Sequence, residues 1–293
     1  MQKFQTITLQ SGDKSYPKLL KQIHDFPKTL YCRGNLNLLT KTCFAVVGTR
    51  KLTTYGKEVA QNVVRGLVQS GFVIVSGLAL GIDTMAHQTT LDAGGKTIAV
   101  LGGGTSDKNI GPQTNLPLAR NILINDGLLI SEYSDNEQIF PVNFAARDRI
   151  ISGLSKGVLV VEAPEKSGAL ITARCALDQN RDVFAVPGSI FSTNSVGPNS
   201  LIKNGAKLVT SAQDILDEYG SNLKLFEEEK IAISTKDPVQ KIILAILDNN
   251  GTVFIDDIIR ESNKETSKII AALSVLEIRG LIKNTGNGKY RRR

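Results

Sequence analysis

Three arginines stand where a chain could grip a polyanion. Arg50 follows Gly48-Thr49 at the end of an apolar run, and Arg147 and Arg149 follow the aromatic Phe140 by seven and nine residues. A guanidinium offers charge and forked donors to a phosphate, and an aromatic face offers a stacking platform to an unpaired base. Ser76-Gly77 and Gly81 form a second loop after an apolar run, and Lys166-Ser167-Gly168 forms another. Glycines let backbone N–H groups approach an anion, and the start of a helix favours negative charge. The chemistry these residues predict is anion binding, with phosphate as the expected anion. A plain helix cap accounts for Ser167 equally well. Asp83 would repel a phosphate, so it either caps its loop or orients Arg50 or another arginine. For His87, one turn further on, a structural hydrogen bond is expected rather than catalysis.

Catalytic constellations are missing from the sequence. No nucleophile has an obvious base, no G-x-G-x-x-G fingerprint follows the first strand, and there is no Walker lysine loop. Glu162 stands near the Lys166 loop without a partner carboxylate. The two histidines, His24 and His87, are far apart, and Cys32, Cys43 and Cys175 form no C-x-x-C pair. Buried reduced thiols are expected, with no metal site, no cofactor and no enzymatic activity.

Short β-rich runs and helical stretches must position these loops. FAVVG (residues 44–48), FVIVS (72–76), TIAVL (97–101), LLISEY (128–133), GVLVVEA (157–163) and VFAVPG (183–188) read as strands, with helical patterns between most of them. That alternation predicts an α/β fold, a Rossmann-like doubly wound and mostly parallel sheet, whose strand ends carry the ligand site. Residues 140–146 read as a loop. Residues 1–43 read as a lead segment packed on a core spanning 44–218, and 219–236 as a linker. Residues 237–293 read as a winged helix-turn-helix with a hairpin turn at Asn287-Gly288 and an apolar helix face of Ile269, Ile270, Leu273 and Leu276. This tail holds ten Lys/Arg against seven Asp/Glu. The whole chain of 293 residues carries a net charge of +7, which is compatible with nucleic acid without requiring it. No signal peptide or membrane-length apolar run is present, so the expected location is the cytoplasm.

VVGTRKLTTYG (46–56), SGLALGIDTMAH (76–87), LGGG (101–104), FPVNFAARDRIISGLS (140–155) and KSGALITA (166–173) resemble five successive motifs of the DprA/Smf family, and YPKLLKQIHDFPKTLYCRGN (16–35) resembles its entry segment. The resemblance runs from about Tyr16 to Val209 in the family's order. It implies a single-stranded DNA-binding recombination mediator that protects incoming strands and loads the RecA recombinase onto them in natural transformation. It also implies a homodimer formed by the core, with apolar Leu201, Ile202, Leu208, Ile215 and Leu216 near its end. The DNA-binding residues it implies are Gly48, Thr49, Arg50, Ser76, Gly77, Gly81, Phe140, Arg147, Arg149, Lys166, Ser167 and Gly168, with Asp83 and His87 in orienting roles. Many relatives carry an extra N-terminal helical domain, for which the start at Met1 leaves no room. One departure stands out: Asp148 lies between two arginines where the family pattern has asparagine. Two other readings compete. One is a ligand-sensing regulator that uses the winged helix on duplex DNA; the other is a nucleotide- or sugar-phosphate-processing enzyme on the same fold.

Overall fold

The computed structural model describes residues 4–138, 140–219, 237–278, 281–286 and 288–292. They fall into two compact units, one ending at Tyr219 and the other starting at Asp237 among the described residues. The linker expected over 219–236 lies outside the described residues from 220 onward, as does Asn287 of the expected hairpin turn.

The first unit is built on nine strands: β1 (Ile7–Gln10), β2 (Thr29–Gly34), β3 (Cys43–Val47), β4 (Val73–Ser76), β5 (Thr97–Leu101), β6 (Leu128–Ser131), β7 (Gly157–Val160), β8 (Asp182–Ala185) and β9 (Lys207–Leu208). Their order in the sheet is β1-β2-β6-β5-β4-β3-β7-β8-β9. From β6 to β9 every pairing is parallel, whereas β1 and β2 add an antiparallel edge. The lead segment thus supplies two strands of the sheet itself.

The helices are α1 (Thr54–Gln69), α2 (Ile82–Asp92), α3 (Leu116–Ile124), α4 (Pro141–Ala146), α5 (Asp148–Leu154), α6 (Gly168–Asp178), α7 (Val196–Lys203) and α8 (Ala212–Tyr219). The chain winds outward from β3 to β6 and then returns to lay β7 against the other side of β3. That reversal is the switch point of a doubly wound sheet, where the loops after neighbouring strands diverge and leave a crevice.

Alternation along β3 shows why the sheet is covered on both faces. Cys43, Ala45 and Val47 join one apolar cluster with Leu20, Leu30, Ile150 and Ala173, while Phe44 and Val46 join another with Val63, Leu67, Phe72 and Phe184. The first unit is closed by α8, whose Tyr219 ring lies 6.1–6.4 Å from those of Phe44, Phe72 and Phe184. The segment expected as a loop over 140–146 holds the short helix α4. Pro141 sits in its first turn, where the fixed φ of proline suits a helix start and its missing N–H removes no bond.

The second unit contains α9 (Pro238–Asn250), β10 (Val253–Phe254), α10 (Ile255–Ser262), α11 (Thr266–Ile278), β11 (Ile282–Gly286) and β12 (Lys289–Arg292). Its three strands form an antiparallel sheet in the order β10-β12-β11. Ile243, Leu247, Ile258, Ile269, Leu273, Leu276 and Ile282 make its core. Ile270 faces out instead, because a helix turning 100° per residue cannot bury both Ile269 and Ile270 on one narrow stripe.

Candidate nucleic-acid interface

A cleft of about 650 Å³ opens at the switch point. Its walls come from the loop after β3 (Gly48 to Lys51), the start of α6 with the preceding loop (Pro164 to Ala169), and the α4–α5 region (Pro141, Phe144, Arg147, Asp148). A smaller hollow of about 350 Å³ adjoins it, lined by Arg50, Gly77, Leu80, Pro141 and Phe144. The cleft therefore gathers Gly48, Thr49, Arg50, Arg147, Lys166, Ser167 and Gly168, with Asp83 in its wall. Ser76, Gly81, His87, Phe140 and Arg149 do not line it.

Among the helices that start at this edge, α1, α2 and α6 follow β3, β4 and β7, and two of those three starts hold their own anion. At α1, the Thr53 backbone N–H and hydroxyl donate to Glu162 at 2.9 and 2.6 Å. A Cβ at Gly56 would overlap the same carboxylate, so the glycine exists to admit Glu162. At α2, the buried Asp83 carboxylate accepts from the Gly77 and Ala79 N–H groups at 3.0 and 3.4 Å. Only α6 among these three opens with neither a carboxylate in its first turn nor one donated from elsewhere. Ser167 caps it by accepting from the Ala169 N–H at 3.3 Å, and a Cβ at Gly168 would meet open space. An external anion is therefore accommodated best at α6, where the helix start is still unneutralised. Lys166 beside it is exposed, as are Arg50 and Lys51 across the cleft.

The two groups of arginine behave differently. Arg50 is exposed, and its guanidinium has no partner among the described residues. Arg147 is only 5% exposed. Its Nε donates to Asp148 at 2.8 Å and its Nη1 to the carbonyls of Gly77 and Val100 at 2.6 and 2.5 Å. A Cβ at Gly77 would collide with that guanidinium. Asp83 lies in the field of Arg147: burial raises its carboxyl overall, and the Arg147 charge and the two N–H donors offset only part of that rise. Arg149 is partly buried and forms a fork with Glu132, both Nη2 contacts at 2.9 Å, and a further bond to Asp25 at 3.0 Å. Arg147 thus holds the cleft floor and Arg149 pins α5 to the strand-β6 end, so both spend their charge inside the protein.

The glycines of the first two loops serve packing. At Gly48 a Cβ would crowd Ile82, and at Gly81, with φ +81°, it would strike the Thr49 carbonyl oxygen. The second of these loops, between β4 and α2, carries Leu78 at φ +58°, fully buried. A non-glycine residue in that region stores roughly 1–3 kcal/mol of strain that its surroundings must hold. Asn115 supplies the restraint: its Nδ2 lies 2.8 Å from the Leu78 carbonyl oxygen and 2.8 Å from the Thr84 hydroxyl. Ser76 donates to the Val46 carbonyl at 2.7 Å, tying β4 to β3. His87 is fully buried, and its Nδ1 lies 2.7 Å from the Thr97 hydroxyl, which itself donates to Ile74. Nδ1 therefore carries the proton, and burial together with Arg147 keeps the ring neutral by lowering its pKa to about 3.

Asp148 is buried against Arg147, and burial pushes its carboxyl up to about 6 despite that partner. The native state then holds more proton than the unfolded chain between about pH 4 and 6, so this group's contribution falls as pH rises through that window. Asp148→Asn should accordingly raise stability by about 1–3 kcal/mol at pH 8 and converge with the parent near pH 4. Thermal melts across that range check this; a variant that melts lower than the parent at pH 8 would show that the ionised carboxylate is needed.

Sequence reasoning missed Lys51, Phe144 and Asn194 in the cleft and the Glu162–Thr53 contact beneath it. Phe144 lies four residues beyond Phe140, a helical spacing hidden by the reading of 140–146 as a loop. Phe140 is 49% exposed at the head of α4, outside the cleft lining but next to Pro141. Among the described residues no group of three His, Cys, Asp or Glu side chains could hold a metal ion, and no helix is long and apolar enough to cross a membrane.

A doubly wound, mostly parallel sheet with a cation-rimmed cleft at its switch point defines a Rossmann-like α/β protein. Comparison with known proteins narrows this class. The chain belongs to the family of DNA recombination-mediator protein A, whose family model matches residues 7–220. It is 47% identical over 218 residues to DNA processing protein DprA of Streptococcus pneumoniae, covering 74% of this chain and 75% of that protein. It is 38% identical over 290 residues to protein Smf of Escherichia coli, covering 97% and 77%. A solved structure of DNA processing protein A from Helicobacter pylori, described for its single-stranded DNA binding mode, superimposes with a TM-score of 0.65 at 32% identity, over 74% of this chain and 96% of that one.

Proposed function

We propose that this protein is a non-catalytic recombination mediator that holds single-stranded DNA in the switch-point cleft and passes it to RecA in the cytoplasm. The observation that carries the reading is the unneutralised start of α6 facing exposed Arg50, Lys51 and Lys166 across an open cleft. Phosphates meet those cations and N–H groups; bases have Pro141, Phe144 and the exposed Phe140 beside them. Gly48 and Thr49 shape the wall, Gly77 lines the adjoining hollow, and Arg147 and Asp83 hold the floor. Glu162 caps α1 through the Thr53 N–H and hydroxyl.

The two units divide the work in this reading. The first binds the strand and pairs with a second copy through the exposed Leu208 edge of β9 beside α7; light scattering showing a monomer at tens of micromolar would reject the pairing. The second unit is a winged helix-turn-helix, with α11 as its third helix and β11–β12 as its wing. Competition on the full chain tests the whole: oligo-dT should displace a labelled single strand far better than a duplex of equal length, with affinity falling steeply in salt. Equal displacement by the duplex overturns the reading.

A further inference from the structure

The loop between β8 and α7 carries the most exposed aromatic side chain among the described residues. Phe191 is 92% exposed and its neighbour Ile190 81%. Such exposure in a loose segment would carry little meaning, but this loop is held at both ends and across its tip. Gly188 N–H donates to Asn199 Oδ1 at 3.2 Å and its carbonyl accepts from Asn199 Nδ2 at 3.0 Å. The Ser192 N–H donates to the Ser189 carbonyl at 3.0 Å, closing the turn around Phe191. Asn194 then stitches the loop to the cleft: its carbonyl accepts from the Ala163 N–H at 2.7 Å and its Nδ2 donates to the Lys51 carbonyl at 3.0 Å. Thr193 and Asn194 are themselves part of the cleft wall. A rigid turn thus holds a bare phenyl ring in water two residues from the cleft.

We propose that Phe191 is a stacking platform for a base of the single strand where it leaves the cleft past Asn194 and Lys51; this rests on the single-strand reading above. Two residues of extended chain reach at most about 7 Å, close to the length of one nucleotide step, so a base next to the one in the cleft can lie on the ring. Lys51 and Lys166 on the same rim neutralise the phosphates that bring it there. The occupant fits the dimensions better than a protein does: two side chains supply a small part of the roughly 800 Å² that each partner gives to a stable protein interface. A base needs one flat apolar face, and stacking on it is tolerant of sequence.

The test uses the full chain. It contains no tryptophan, so Phe191→Trp places a single indole at the platform. Titration with oligo-dT of about 16 nucleotides should quench its fluorescence. Phe191→Ala should melt like the parent, bind the same oligonucleotide about five- to a hundred-fold more weakly, and keep the parent's salt slope, because no charge is lost. Unquenched indole in a variant that still binds DNA like the parent overturns the platform while leaving the cleft reading intact. So does a Phe191→Ala protein whose only defect is loss of self-association, which would make the ring a contact between copies. Failure of the parent itself to bind oligo-dT strikes the cleft reading first and removes this inference with it.

Discussion

Arg50→Ala should weaken binding of single-stranded DNA about ten- to a hundred-fold and leave the melting temperature where it was. The first half follows from chemistry: a charge-assisted phosphate contact contributes roughly 1.5–3 kcal/mol, and each 1.4 kcal/mol is tenfold in affinity. The second follows from position. Arg50 is exposed at the end of the β3 loop and holds nothing else in place among the described residues. The dependence of affinity on salt should become shallower by about one phosphate contact. Delivery of the strand to RecA should fail in parallel, because a mediator must hold the strand it hands over. Binding to oligo-dT that matches the parent at low and high salt would remove Arg50 from the interface. A fall in melting temperature would instead make it a structural clamp, a role argued against by Asp83 taking its hydrogen bonds from the Gly77 and Ala79 N–H groups and none from Arg50.

The contrast between Arg50 and Arg147 marks what the sequence can and cannot say. Both stand in family motifs, and both read as phosphate contacts. Their fates are set by neighbours far along the chain: Arg147 bonds to the carbonyls of Gly77 and Val100, 70 and 47 residues away. No local pattern encodes that. The strands themselves were legible, because a buried parallel strand is a short run of Val, Ile and Ala with nothing else in it. The glycines were legible as special but their purpose was not. An unbranched backbone admits an anion, and it equally admits Glu162 at Gly56 or a guanidinium at Gly77. Glu162 shows the same limit: alone in sequence, it reads as a stray candidate catalyst, yet it meets Thr53 from 109 residues away and neutralises a helix start. The sequence pointed to the edge; which of its helix starts lacks a carboxylate required three dimensions.

Asp148 belongs in the same argument. As a sequence feature it is a negative charge where the family pattern has a neutral amide. In the structure it shares Arg147 with Asp83, one cation between two buried carboxylates. The arrangement makes the cation more consequential than in a site with one partner.

Arg147→Ala should therefore be the most destabilising single change at this site. Removing one member of a buried ionic group leaves the rest uncompensated, at about 3–5 kcal/mol. Here the alanine would strand Asp83 and Asp148, free the Gly77 and Val100 carbonyls of their donor, and open a hole beneath the cleft. For a unit of this size the loss corresponds to roughly 10 °C in the melting of the first unit. Lysine should not restore it, since a single ammonium cannot reach the fork of acceptors that Nε and Nη1 now serve. Lowering the stranded charge should help: Arg147→Met combined with Asp83→Asn and Asp148→Asn should recover part of the loss, as exchange of a whole buried ionic group for neutral side chains costs less than breaking it. DNA affinity in Arg147→Ala should fall through the disordered floor, so the salt slope stays that of the parent, unlike Arg50→Ala. A variant that melts within a degree or so of the parent, yet loses affinity together with one phosphate's worth of salt dependence, would place Arg147 on the DNA and not beneath it.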